Sequence, residues 1–174
     1  MHQPAVTAHR GHMTNTTATP QSPNSQAPNS QAPNSQAPNS QSSDPKIAAV
    51  QRLYDAFFQG DADAFVADLA DDVDWAAGAA SSSAPWYGAR HGTDGARRFF
   101  GDIGANVAVS DFEQLSYAAN DTDVFVAIRW TYTVNATGKK ASMHMLHWWR
   151  FADGKIVWFR GLEDTEQTAA AFTC

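Results

Sequence analysis

Residues 46–174 predict an α+β domain, a curved antiparallel sheet with three helices packed on one face and a pocket at the open end of the sheet, preceded by a tail without packed structure. Two changes along the chain carry this expectation. Composition breaks near residue 45, and the apolar period switches from three-to-four residues to two near residue 106.

The first 45 residues hold seven of the eight prolines and only Arg10 and Asp44 as formal charges. A stretch of Pro, Asn, Ser, Gln, Thr and Ala cannot bury enough apolar surface to offset an ordering cost of roughly 1–2 kcal/mol per residue. Residues 1–45 are therefore expected to be disordered. Within them the unit PNSQA recurs from Pro23 to Gln41, and proline every fifth residue forbids helix and blocks strand ladders. A docking tract would want PxxP spacing or charge, so a spacer or an expanded repeat without a role is the preferred reading. His2, His9 and His12 are irregularly spaced, which suits adventitious metal binding at most.

From Ile47 to Phe58 the apolar residues Ile47, Val50, Leu53, Tyr54, Phe57 and Phe58 mark a helix with one buried face, ended by Gly60. Asp61 is a good N-cap for a second short helix that buries Phe65, Val66 and Leu69, and DDVDW then reads as a short strand. After a loop, a third helix is expected with Thr93 as N-cap and Ala96, Phe99, Phe100 and Ile103 as its stripe. Strands follow at about 107–118, 123–134, 141–151 and 156–163, joined by NATGKK and ADGK into an antiparallel meander.

Composition narrows the function. Arg10 and Asp44 cancel, so the net charge of −6 sits on the domain as scattered aspartates, which disfavours binding to nucleic acid. Cys174 is the only cysteine, so a disulfide framework is excluded and an inert terminal thiol expected. No apolar run approaches the roughly 20 residues of a membrane span, and the start lacks the pattern of a secretion signal. A soluble, cytoplasmic protein with no membrane partner is expected. Without a Gly-rich phosphate loop or a His/Cys cluster, no nucleotide cofactor and no metal are expected; His144 and His147 point to opposite faces of one strand and cannot share an ion.

The order YDAFFQGDADAF, LADDVDW, PWYGARHG before a helix containing RRFF, then TGKK, HWWRFADGKI and FRGLEDTEQTAAAF resembles the SnoaL-like, ketosteroid-isomerase-related branch of the nuclear-transport-factor-two-like superfamily. The resemblance covers residues 46–173. It implies an α+β cone with a mostly apolar pocket and frequent dimerisation, in members that are isomerases, cyclases, dehydratases, hydrolases or non-catalytic binders. Carried across by counting, the functional positions of the steroid isomerases fall on Leu53, Ala77, Phe100 and His147, so three of four groups are missing and the fourth is changed. Steroid isomerisation by the usual carboxylate mechanism is not expected. The aspartate of SnoaL-type polyketide cyclases falls near Gly161, with Asp164 three residues on.

Strand parity anchored on an inward His147 turns Met143, Met145, Trp149 and Phe151 inward, and sends His144, Leu146, Trp148 and Arg150 outward. The same comparison turns Trp75, Trp130, Tyr132, Val157, Phe159 and Glu163 inward. His147 and Glu163 are the candidate catalytic residues. An imidazole among Met, Trp and Tyr loses hydration in its charged form, so its pKa should fall below about 6.5 and leave a neutral acid/base; the bland reading is a core histidine bonded to Tyr132 or a backbone carbonyl. Glu163 would orient a substrate or polarise His147, or be only a solvated strand-end carboxylate. Candidate ligand contacts are Tyr54, Trp75, His91, Trp130, Tyr132, Met145, Trp149 and Phe159, weighed against core filling for the rings and a surface loop for His91. Phe99, Phe151 and Val157 are read as core, Arg160 as an outward residue and Asp164 as a cap for the terminal segment.

The leading expectation is a cofactor-independent enzyme doing acid/base chemistry on a small lipophilic or cyclic molecule, with proton transfer at His147. The rivals are a non-catalytic small-molecule-binding or accessory dimer, and a protein-interaction module using sheet and tail. Leu146, Trp148, Trp158 and Leu162 among Arg129, Arg150 and Arg160 on the outer face point to a homodimer through the sheet.

Overall fold

The computed structural model describes residues 44–173. The PNSQA repeat, the three N-terminal histidines and Cys174 lie outside the described residues, as does all of the tail expected to be disordered except Asp44 and Pro45.

Those two residues belong to the domain. The Asp44 carboxylate accepts the Lys46 N–H, and Pro45 opens helix α1 (Pro45–Gln59), where its fixed φ suits the first turn and its missing N–H is not needed. Gly60 ends the helix in the left-handed region at φ 71°. Asp61 accepts the N–H groups of Asp63 and Ala64 to start α2 (Ala62–Val66). β1 (Leu69–Ala77) and β2 (Gly88–His91) follow, then α3 (Gly92–Asn106), β3 (Val107–Ala119), β4 (Asp123–Val134), β5 (Lys140–Ala152), β6 (Lys155–Leu162) and α4 (Thr165–Phe172).

The strands form one sheet in the order β2-β1-β6-β5-β4-β3, antiparallel except where β1 runs parallel to β6. This is the predicted α+β architecture with one more strand and one more helix. β2 was expected as loop; its four residues, GARH, are mostly exposed and so carry no alternation. The fourth helix is the terminal segment, capped by Asp164, which accepts from Glu166 and Gln167. α3 begins ahead of Thr93, with His91 as its N-cap and no side-chain cap bond. The chain turns at Gly92, where φ is 68° and an added Cβ would stand 2.9 Å from the Asp71 carbonyl oxygen.

β5 alternates as predicted, with Ala141, Met143, Met145, Trp149 and Phe151 buried and Ser142, His144, Leu146 and Arg150 exposed. In β6 the register slips by one between the pairs Arg150↔Trp158 and Phe151↔Ile156. This bulge reverses parity below Trp158. Ile156, not Val157, is therefore the buried core residue, correcting the inward assignment of Val157. On the concave face, Trp75, Phe159 and Trp149 lie side by side across three strands, with ring centroids 4.3 Å apart at each step. No helix among the described residues is long and apolar enough to cross a membrane.

Candidate functional site

The concave face and helices α1 to α3 line a partly open cavity of about 60 Å³. Of the predicted residues, Tyr54, Trp75, Trp130, Met145, His147, Trp149, Phe159 and Glu163 line it. Two do not. Tyr132 is fully buried one pleat further along β4, behind Trp130, and its hydroxyl donates to Thr168 Oγ1 at 2.9 Å. His91 is exposed at the end of β2, outside the lining. Phe99, read as core, borders the cavity instead, because it sits on the α3 face opposite Trp75 and Phe159.

The Tyr54 hydroxyl of α1 stands 2.9 Å from Nδ1 of His147 and 3.3 Å from Nε1 of Trp149. An indole N–H only donates, so Tyr54 receives it and has its own proton to place. Burial raises the Tyr54 pKa well above the usual phenol range, partly opposed by the Trp149 bond, so that proton stays on the phenol. The acceptor within reach is Nδ1. The network thereby assigns the Nε2–H tautomer to His147. Nε2 has no hydrogen-bond partner among the described residues, and it faces the cavity beside Gly161, where an added Cβ would come within 3.7 Å of it. Desolvation lowers the His147 pKa to about 3, which keeps the ring neutral. The expected partners, Tyr132 or a backbone carbonyl, are replaced by Tyr54.

Glu163 follows β6, two residues beyond the cross-strand partner of His147, Gly161. Its Oε1 receives hydrogen bonds from the Tyr87 hydroxyl, from Thr168 Oγ1 at 3.2 Å and, at a long 3.4 Å, from Trp86 Nε1. Oε2 has no partner among the described residues. Burial raises the Glu163 pKa, and the three donors oppose that rise. Glu163 therefore does not polarise His147 directly. It occupies a separate corner, with Cα roughly 7–8 Å from that of His147 by the diagonal spacing of paired strands.

The loop between β1 and β2 brings Trp86 to the cavity lining. Trp86 is only 1% exposed, and its ring packs 5.8 Å from Trp130, 6.0 Å from Tyr132 and 5.4 Å from Phe172 of α4. The buried Trp75 Nε1–H has no acceptor among the described residues. Among the described residues no three His, Cys, Asp or Glu side chains converge closely enough to hold a metal ion.

A family model of the SnoaL-like domain matches residues 50–159. This chain belongs to the SnoaL-like domain family. No curated protein matches it. Among solved structures, this SnoaL-like domain is similar to an NTF2-like protein from Burkholderia thailandensis E264, at 26% identity over 73% of this chain and 96% of that one, with a TM-score of 0.65. TerC co-crystallised with polyporic acid is 20% identical over 74% and 98%, with a TM-score of 0.63. A protein provisionally called a polyketide cyclase from Xanthomonas campestris pv. campestris is 20% identical over 74% and 97%, with a TM-score of 0.59. The fold is thus the NTF2-like α+β cone.

Sequence reasoning missed Trp86, Tyr87, Phe112 and Thr168 as neighbours of the SnoaL-like site. PWY in a loop of small residues was the available signal for the first two, since large rings in an otherwise polar loop need something to cover.

Proposed function

We propose that this SnoaL-like domain is a cofactor-independent enzyme of the isomerase or cyclase type, acting on a small lipophilic or cyclic carbonyl compound. The carbonyl oxygen accepts the Nε2–H of His147. Glu163 Oε2 takes the proton from the neighbouring carbon, and the C–H electron pair moves into an enolate whose oxygen stays hydrogen-bonded to His147. Return of that proton to another carbon is isomerisation, and attack of the enolate carbon on a second carbonyl is cyclisation. The observation that carries this reading is the Trp149–Tyr54–His147 chain, which leaves an N–H without a partner among the described residues in an apolar cavity shared with a half-free carboxylate.

His147 thus differs in role from the acid/base expected of it. With a pKa near 3 it is a weak base at neutral pH, whereas a neutral imidazole N–H is a good donor to a developing oxyanion. Glu163, with its pKa raised by burial, is the better-matched base. The test needs no known substrate. Exchange of the methyl protons of acetophenone into D2O, followed by NMR, should be faster with the protein than with buffer. Glu163→Gln should slow the catalysed exchange about 10²–10⁴-fold, and His147→Gln about 10²–10³-fold. No acceleration by the wild type would reject enolisation chemistry.

A ligand-binding or accessory protein without turnover is the second reading. Its support is the lining, which is aromatic and aliphatic apart from Tyr54, His147 and Glu163 and so offers a lipophilic molecule apolar contact with few reacting groups. Under either reading we place a second copy of the chain on the outer sheet face, where Leu146 and Leu162 are 37% and 43% exposed beside Trp148 and Trp158.

A further inference from the structure

Glu163 lies beyond the end of β6, where no ladder partner fixes its direction, and its long side chain has rotamer freedom to lose. The restraint comes from three donors on two other elements, and all three converge on one oxygen, Oε1. Trp86 and Tyr87 belong to the β1–β2 loop and Thr168 to α4. Oε2 is not sealed in. Among the described residues the buried side-chain polar atoms without a partner are Trp75 Nε1, Arg90 Nε and Tyr117 Oη. Glu163 lines the cavity, so its carboxylate is held at one oxygen and open at the other.

The three donors are unequal. The Trp86 bond is long at 3.4 Å, and Thr168, at 3.2 Å, also receives the Tyr132 hydroxyl at 2.9 Å, which commits the Thr168 proton to Glu163. Tyr87 is the main anchor. Its phenol is buried, and desolvation together with the Glu163 bond raises its pKa well above the usual range, so it donates and keeps its own proton. Tyr132 is raised to about 12, mainly by burial, and His147 on β5 is neutral as well. Among the described residues the charge that bears on Glu163 is that of Asp164, next in the chain; it adds to the rise that burial causes, whereas the three donors oppose it.

We infer that Tyr87 is a positioning residue: by holding Oε1 of Glu163 it fixes the plane of the carboxylate and presents Oε2 to a substrate in the cavity. This rests on Glu163 being the base of the proposed reaction. A carboxylate tied at one oxygen keeps the lone pairs of the other in a fixed direction, whereas a free one samples many orientations and abstracts a proton from few of them. Two of the three donors sit on the loop that carries Trp86, so the base is aligned only while that loop is in place.

Glu113, Glu163 and Glu166 are the only glutamates of the chain, so carboxyl ¹³C titration of glutamate-labelled protein follows each one without any ligand. Tyr87→Phe keeps the ring that packs 5.9 Å from Trp86 and removes only the donor. Losing a donor to the anion disfavours ionisation, so the Glu163 midpoint should rise by about one pH unit, the worth of one hydrogen bond to a charged group. Exchange of the protons of acetone, a ketone that needs no room for a ring, into D2O supplies the second readout. Its rate should rise with pH through the Glu163 midpoint, move with that midpoint in Tyr87→Phe, and level off roughly 10–100-fold lower there, because the ionised base is no longer aimed. A merely structural Tyr87 would change stability and leave midpoint and plateau alone. An unmoved Glu163 midpoint in Tyr87→Phe overturns the anchor, and a plateau equal to that of the wild type overturns the positioning role. Wild-type exchange no faster than buffer overturns the base reading and the positioning role with it, while the titration still decides the anchor.

Discussion

A histidine whose Nδ1 is held by a buried phenol and whose other nitrogen faces an aromatic cavity resists protonation, and this gives His147 a measurable effect on stability. Its pKa falls from about 6.5 to about 3 because the cavity does not solvate the imidazolium. A depressed folded-state value contributes stability in full above pH 6.5, and that contribution drains away as pH falls toward 3, since the unfolded chain binds a proton that the folded chain refuses. The loss is on the order of 4 kcal/mol across that window. Glu163 works in the opposite sense: its raised pKa means its contribution is present at low pH and lost as pH rises through the folded-state value. Urea denaturation at pH 7 and pH 4 should show a loss of stability in the wild type that is smaller by several kcal/mol in His147→Gln. Equal losses in the two proteins would mean that His147 titrates as if solvated. Family resemblance set His147 inward, and strand parity, with its period of two, then placed Met145 and Trp149 on the same face. Its partner was not legible, since Tyr54 lies on a helix 93 residues away and the rotation of α1 against the sheet is set by packing, not by local pattern.

At the scale of elements, the unpatterned segments complete the cavity lining. The loop from Gly78 to Tyr87 is rich in Ala and Ser, yet it seats Trp86 among Trp130, Tyr132 and Phe172 and ties Tyr87 to Glu163. The long α1 and α3 and the four C-terminal strands were legible because each repeats its apolar period over at least two turns or pleats. β2 and the β6 bulge were not. The first is too short and exposed to alternate, and the second inserts a residue that only the pairing reveals. Because the cavity has no room for a ring while Trp86 is in place, entry of a ligand should wait on this loop. In stopped flow, the rate at which 2-naphthol fluorescence changes should level off with rising naphthol for the wild type, as loop opening becomes limiting. Trp86→Ala should remove the plateau, at a cost of about 3–5 kcal/mol in stability from the emptied aromatic site. A wild-type rate that climbs linearly throughout would show that the loop does not gate access.

For the whole molecule, the remaining question is what covers the convex face of the sheet. Trp148 and Trp158 pack edge to face at 4.8 Å, and the Arg150 guanidinium lies 5.3 Å and 5.4 Å from their ring centres. Arg160 stands 4.3 Å from the Trp158 ring while bonded to Asp74, and Arg150 is bonded to Asp123. The arginines therefore shield the tryptophans in part, which is why both are half-buried in a single chain although parity sends them outward. Leu146 and Leu162 keep no such cover, and they are paired across β5 and β6, so their exposed surface is continuous with the tryptophan patch. Aromatic rings and arginines surrounding paired leucines make a self-complementary surface suited to a two-fold contact, in which each copy completes the cover of the other. Sedimentation equilibrium at micromolar concentration should find a dimer, and Trp148→Glu should give a monomer, because a carboxylate at the centre of the patch would be desolvated without a partner. The same substitution should leave acetophenone exchange within a few-fold of wild type, since Trp148 is on the face opposite His147 and the cavity is built within one chain. A wild type that sediments as a monomer would refute the dimer, and a dimer that survives Trp148→Glu would move its interface elsewhere.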